Sequence, residues 1–205
     1  MRATARTLHD VRVRTLVILA ALLGPVPVLA QGAPAAPAPQ QRPDPRRAEI
    51  DALLNALKLA PSEAAAAGLE AKIRDAWLKA GAPVAALLLG KGTRNLRNDA
   101  DEEALEDFDA ALVIDPDYME AYNRRALARS ALGDYRGALA DIQEVLKREP
   151  RHFGALQGLS RIAEARGDST GALQAWEKAL ELVPNSPGGQ ERLKVLRRKA
   201  QGEES

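Results

Sequence analysis

From Arg46 onward, apolar residues recur three and four positions apart, the spacing of one face of an α-helix. Ile50, Leu53, Leu54 and Leu57 mark a first helix that Pro61 ends, and Ser62 is placed to cap a second. That second helix carries Leu69, Ile73, Ala76, Trp77 and Ala80 on one face, and Gly81 and Pro83 close it. Trp77 falls on the buried side, the ordinary use of a large apolar ring. Residues 31–45 are rich in Pro, Ala and Gln, carry no periodic face and are expected to run as an extended linker. Before them, Arg2, Arg6, Arg12 and Arg14 precede an apolar run at 16–23, then Gly24, Pro25 and Pro27, then the small residues Val28 and Ala30. That order predicts a secretory signal peptide over 1–30, cleaved after Ala30. The run is well short of the ~20 residues that span a bilayer. No Arg-Arg pair precedes it, so a general signal is expected rather than a twin-arginine one, and no Cys follows it to carry a lipid. A retained membrane anchor is the alternative.

Beyond residue 84 the pattern acquires a longer period. Pro116, Pro150 and Pro184 stand 34 residues apart, and other positions keep the same phase. Eight residues before each proline is a large apolar side chain: Phe108, Ile142 or Trp176. Twelve before is Ala104, Ala138 or Ala172, each followed by a leucine. Five before is Ala111, Val145 or Ala179, again followed by a leucine. Asp99, Gly133 and Gly167 mark a turn in the middle of each unit. Three units thus run without insertion over 85–118, 119–152 and 153–186. Gly92, Ala126 and Ser160 on the first helices are small where two helices must cross closely, with Phe108, Ile142 and Trp176 beside them. Each proline ends a second helix, having no amide donor and clashing with the preceding turn.

A 34-residue period with small and large residues locked to one phase resembles the tetratricopeptide-repeat (TPR) family. The segments YNRRALARSALGDYRGALADIQEVLKREP and LQGLSRIAEARGDSTGALQAWEKALELVP carry the likeness most clearly. The resemblance implies an all-α, right-handed helical-repeat solenoid. The family favours Leu at the seventh position and Tyr at the eleventh. Here the seventh are Lys91, Arg125 and Leu159, so the first two units depart, and the eleventh are Asn95, Arg129 and Ala163, so all three do. Residues 46–84 fit no register and are expected to form an atypical N-terminal capping pair. Residues 187–205, with Leu193 and Leu196 among Arg and Lys, are expected to form a capping helix and tail.

Composition narrows the chemistry. The chain is 46% apolar but only 3% aromatic, and its net charge is +1. Loss of residues 1–30 would remove four of 29 basic and one of 28 acidic residues, leaving a near-neutral chain that nothing draws to nucleic acid. Without cysteine there is no disulfide, thiolate metal site or Cys nucleophile. His152, the single histidine beyond residue 30, is expected to be a polar surface residue in a turn. Gly90-Lys91-Gly92-Thr93 lacks the earlier glycine and the Ser or Thr after Lys that a phosphate loop needs. The acids at Asp99, Asp101, Glu102 and Glu103 lack the Gly and Glu of a calcium loop. Asp99 is instead expected to cap the following helix, as Asp134 and Asp168 do later. Arg197, Arg198 and Lys199 suit the negative end of a last helix. No catalytic residue, metal ligand or cofactor is expected, and after signal cleavage no membrane contact.

What remains is the surface that the repeat architecture makes. In the family, positions 2, 5, 9 and 12 of each first helix line the concave side. Carried over, these are Ala86, Leu89, Thr93 and Leu96; Glu120, Asn123, Leu127 and Ser130; and Gly154, Gln157, Arg161 and Glu164, with Arg124 beside them. The residues expected to touch a partner are therefore Thr93, Glu120, Asn123, Arg124, Leu127, Gln157, Arg161 and Glu164. One subfamily grips a C-terminal carboxylate with Lys and Asn at fixed places. Here Leu89, Thr93, Arg124, Gly154 and Gly158 occupy those places, so that clamp is missing. The implied function is a non-catalytic scaffold in the periplasm, or secreted, that binds a protein or peptide partner. Self-assembly of repeats and service as an accessory subunit of an envelope enzyme are the alternatives.

Overall fold

The computed structural model describes residues 45–202. The expected signal peptide at 1–30 and all but the last residue of the 31–45 linker lie outside the described residues. Within them run nine helices: α1 (Pro45–Lys58), α2 (Glu63–Leu78), α3 (Pro83–Arg97), α4 (Asp101–Ile114), α5 (Met119–Ala131), α6 (Tyr135–Arg148), α7 (Phe153–Ala165), α8 (Ser169–Leu182) and α9 (Gly189–Ala200). No strand occurs among the described residues, and none of these helices is long and apolar enough to cross a membrane.

The hairpins α3/α4, α5/α6 and α7/α8 stack into a helical-repeat solenoid. Ala104, Ala138 and Ala172 are fully buried, as are Ala126 and Ser160 on the facing helices, where small side chains let the backbones approach. At Gly92 the approach leaves no room for a side chain: an added Cβ would lie 2.7 Å from the Phe108 ring. Ser160 satisfies its buried hydroxyl by donating to the Ala172 carbonyl at 2.8 Å. Each second helix stops two residues short of Pro116, Pro150 or Pro184. Across α8 lies α9, which buries Leu193 and Leu196 and leaves its basic side chains outside. Trp176 Nε1 donates to the Gly189 carbonyl at 3.0 Å, tying α9 to that surface.

The turns correct one expectation. Asp99 does not cap α4; it has a φ of 57° and stands in the left-handed turn position that Gly133 (φ 80°) and Gly167 (φ 77°) take in later units. The cap falls to Ala100, which has no side-chain acceptor. Its counterparts, Asp134 and Asp168, accept from the Gly137 and Gly171 amides at 2.9 and 2.7 Å. The period explains the shift, because 34 residues separate Asp99 from Gly133 and not from Asp134. Changing Asp99→Gly is expected to raise stability by about 0.5 kcal/mol, since relief of the left-handed strain exceeds glycine's entropic cost. The denaturant midpoint measures it; an unchanged or lower midpoint would count against the reading.

In the first two units the unusual seventh and eleventh positions prove to be parts of a polar ladder built on the buried carboxylates Asp107 and Asp141. Lys91 and Asn95 bond the two oxygens of Asp107 at 2.6 and 2.8 Å. One unit on, Arg125 and Arg129 hold Asp141, with Arg125 bidentate at 2.6 and 2.9 Å and Arg129 at 2.9 Å. Arg125 also reaches back to Asp109 at 2.6 Å. Burial alone would lower its pKa, but the two carboxylates outweigh that and raise it above the ordinary arginine value. In the third unit all three places are apolar: Leu159, Ala163 and Ala175.

The N-terminal pair is not stacked on the outer face of α3 as a cap would be. Instead α2 runs along the turns between units, meeting the last residue of each. Tyr118 Oη donates to the Leu78 carbonyl at 2.5 Å. His152 stacks on Trp77 with ring centroids 3.9 Å apart. Ser186 Oγ donates to Glu70 at 2.8 Å. These three residues are 34 apart in sequence, and all are buried. Behind α2, Leu54, Leu57 and Ala60 join Ile73, Trp77, Phe153 and Val183 in one apolar cluster. Asn185 donates to the Ala60 carbonyl, and Arg151 pairs with Asp51.

Candidate functional site

Because α2 lies along this edge, it becomes a wall of the groove. A cavity of about 200 Å³ opens between α2, α5 and α7. Six of the eight residues expected to touch a partner line it: Glu120, Asn123, Arg124 and Leu127 from α5, and Gln157 and Arg161 from α7. Spacings of three and four residues place them on one face of each helix. The structure adds Arg74 and Trp77 from α2, with His152 and Gly154 at the start of α7. Thr93 and Glu164 stand outside. The Thr93 hydroxyl donates to the Leu89 carbonyl of its own helix at 2.7 Å. Glu164 is paired with Arg192 and, at 2.8 Å, with Lys199 of α9.

Glu120 is the hub and is almost wholly buried. Arg124 Nε donates to one of its oxygens at 2.7 Å, and Asn123 Nδ2 donates to the other at 3.2 Å. His152 Nε2 lies 3.2 Å from that second oxygen. Burial would raise the Glu120 pKa, but the hydrogen bond from His152, with the Arg124 charge and the Asn123 amide, holds it below the usual carboxylate range.

His152 is not the surface residue that its turn position predicts: it is 1% exposed. Its Nδ1 accepts from the Ala155 amide at 2.9 Å, so the imidazole caps α7 and its ring proton sits on Nε2, facing Glu120. The stack on Trp77 covers one ring face, and the Phe153 ring lies beside the indole. A signal for this was present in the alignment of His152 with Tyr118 and Ser186 at one 34-residue phase. Nothing in the spacing says what such a residue contacts, however, because α1 and α2 lie outside the period.

Two features of the cavity are left incomplete. Asn123 Oδ1 is buried and has no hydrogen-bond partner among the described residues. Turning the amide over would set its oxygen against the Glu120 carboxylate, so the acceptor stays on the side away from Glu120, in a residue that lines the groove. Arg161, at the open side, meets no carboxylate; desolvation first, then Arg192 and Arg124, lower its pKa from the ordinary arginine value. It stays charged at neutral pH. Arg74 is satisfied from outside the cavity by Glu70 at 2.5 Å. The groove therefore offers a donor-seeking oxygen beside a net positive rim. No group of three or more His, Cys, Asp or Glu able to hold a metal ion occurs among the described residues.

Comparison with known proteins bears on the repeats that carry this groove. A family model described as tetratricopeptide repeat matches residues 123–187. The chain is 34% identical over 153 residues to a TPR repeat-containing protein of Rhizobium etli, covering 75% of each chain. Among solved structures, the TPR domain of Sgt2 from Aspergillus fumigatus aligns with a TM-score of 0.55 at 26% identity, over 60% of this chain and 82% of that one. The first TPR of Spaghetti (RPAP3), solved bound to the HSP90 peptide SRMEEVD, aligns with a TM-score of 0.53 at 20% identity, over 58% of this chain and 94% of that one. The second likeness speaks to fold alone.

Proposed function

The chain belongs to the tetratricopeptide-repeat family, and on that premise we propose that it is a non-catalytic interaction module holding an extended segment of a partner protein in the groove between α2, α5 and α7. The observation that carries this is the incomplete cavity: an unpaired Asn123 oxygen beside Arg161, which has no carboxylate. A backbone amide of an extended chain satisfies the first, and an acidic side chain of that segment satisfies the second. Leu127, which lines the same cavity, supplies apolar contact. The scaffold sets the class of function, and these side chains set what binds. The order of charge, apolar run and small residues at 1–30 supports placement in the cell envelope or outside the cell.

Capture from envelope extract tests the reading. The full chain is compared with a double variant, Gln157→Glu with Arg161→Glu, after circular dichroism has shown equal helix content. Asn123 is left alone, because its buried bond to Glu120 makes a change there a test of folding. The native chain is expected to hold a partner whose capture falls at least tenfold with the variant. Equal capture by both would place recognition elsewhere.

A further inference from the structure

The 34-residue period reveals a face on the first unit that later units bury. In α5, Ala121 and Ala128 are buried in one cluster with Phe108, Ala111 and Leu112 of α4. In α7, Ala155 and Ile162 are buried in one cluster with Ala138, Ile142 and Val145 of α6. Each first helix thus receives the second helix of the preceding unit on the same two positions. In α3 those positions are Leu87, 74% exposed, and Arg94, also exposed. Val84, aligned with the buried Tyr118 and His152, is 56% exposed. The helix that precedes α3 in sequence has gone to the turns, so the receiving face stays open.

Charge narrows the occupant. In the equivalent contact one unit on, Arg125 uses Asp141 of its own unit and Asp109 of the preceding helix. Lys91, at the same place in α3, holds Asp107 of its own unit while its side chain remains 59% exposed. It lacks the second carboxylate, and Arg94 and Arg97 add positive charge nearby. A second copy is disfavoured in both arrangements. Face to face, Lys91 and Arg94 would meet their own kind; head to tail, they would meet Lys194, Arg197 and Arg198 of α9.

We propose that this face of α3 is a second docking site, separate from the groove, which takes an amphipathic helix of a partner protein. That helix carries small or apolar residues at helical spacing and a carboxylate placed as Asp109 is on α4.

The probe is the helix that covers the equivalent face of α5. A labelled peptide copying residues 101–116, stapled through its solvent-facing positions 102 and 106 to offset the cost of helix nucleation, is titrated with the full chain and followed by fluorescence anisotropy. Saturable binding is expected, weakened at least tenfold by Leu87→Glu in the protein or by Asp109→Lys in the peptide. The double variant at Gln157 and Arg161 should bind the peptide unchanged, so this result stands or falls apart from the groove. Leu87 is exposed, and its replacement leaves the core intact. Absence of saturation up to about 1 mM would overturn the proposal, as would indifference to Leu87→Glu. Sedimentation of the chain alone separates the remaining case: a dimer that Leu87→Glu dissolves would make the occupant a second copy and refute a partner helix.

Discussion

Replacing Asp141 with alanine is expected to destabilise the protein by about 3–5 kcal/mol, the scale for removing one member of a buried ion pair. The side chain is 3% exposed and accepts from both Arg125 and Arg129, which are themselves 15% and 23% exposed. Without it, Arg125 keeps the half-exposed Asp109 and the Tyr122 ring face, and Arg129 keeps the Gly137 carbonyl at 3.3 Å and a 3.9 Å contact to Asp134. Two guanidiniums would then sit in a helix-packing seam with their main acceptor gone. The third unit supplies the control. Its residues at the three places are Leu159, Ala163 and Ala175, so the combined change Arg125→Leu, Arg129→Ala and Asp141→Ala imports a set that this fold already packs. That triple variant is expected to lie within about 1 kcal/mol of the native protein or above it, because well-packed apolar residues commonly match a buried ion pair. Urea unfolding measures both. A single variant no worse than the triple would show that the ladder contributes little.

Trp77→Ala is expected to cost about 3–5 kcal/mol, and to do so locally. The indole is 2% exposed and joins the His152 stack to the apolar cluster of Leu54, Leu57 and Phe153. Its removal opens a cavity under α2 and strips the cover from the ring that caps α7. Without it α2 keeps Ile73 in the apolar cluster with Phe153 and Val183, and polar ties through Leu78, Arg74 and Glu70. The helical pair should therefore detach before the repeats unfold, giving early hydrogen exchange over α1 and α2 while α5 to α8 stay protected. Exchange that rises evenly over the whole chain would contradict a separable pair.

The three hairpins were legible because the period fixes which residues are small, which are large and where each second helix stops. Chemistry at the seventh and eleventh positions was less so. Lys91, Asn95, Arg125 and Arg129 look like weaknesses when each is set against an expected Leu or Tyr. Only the structure pairs them with Asp107 and Asp141, twelve and sixteen residues away on the facing helix. The cavity was legible in six residues, since a helix face carries over from position to position. Glu164 falls outside it because α9 supplies Arg192 and Lys199, and Thr93 because α2 narrows the groove over the second and third units. A place in a turn ordinarily means solvent, but His152 is buried there because α2 covers it. The docking of α2 could not be read from spacing, since a helical pair that shares no register with the repeats has no predicted partner. Even so, Tyr118, His152 and Ser186 stand at one phase, and their shared burial is the trace that α2 leaves on the period.

The most direct test of groove recognition is photo-crosslinking in intact cells, with a photoreactive amino acid at Gln157 inside the groove or at Val113 on an exposed flank of α4. A discrete adduct is expected from position 157, lost when Arg161→Glu is added, and none from position 113. An adduct from 113 with none from 157 would contradict the groove as the site where the partner is held.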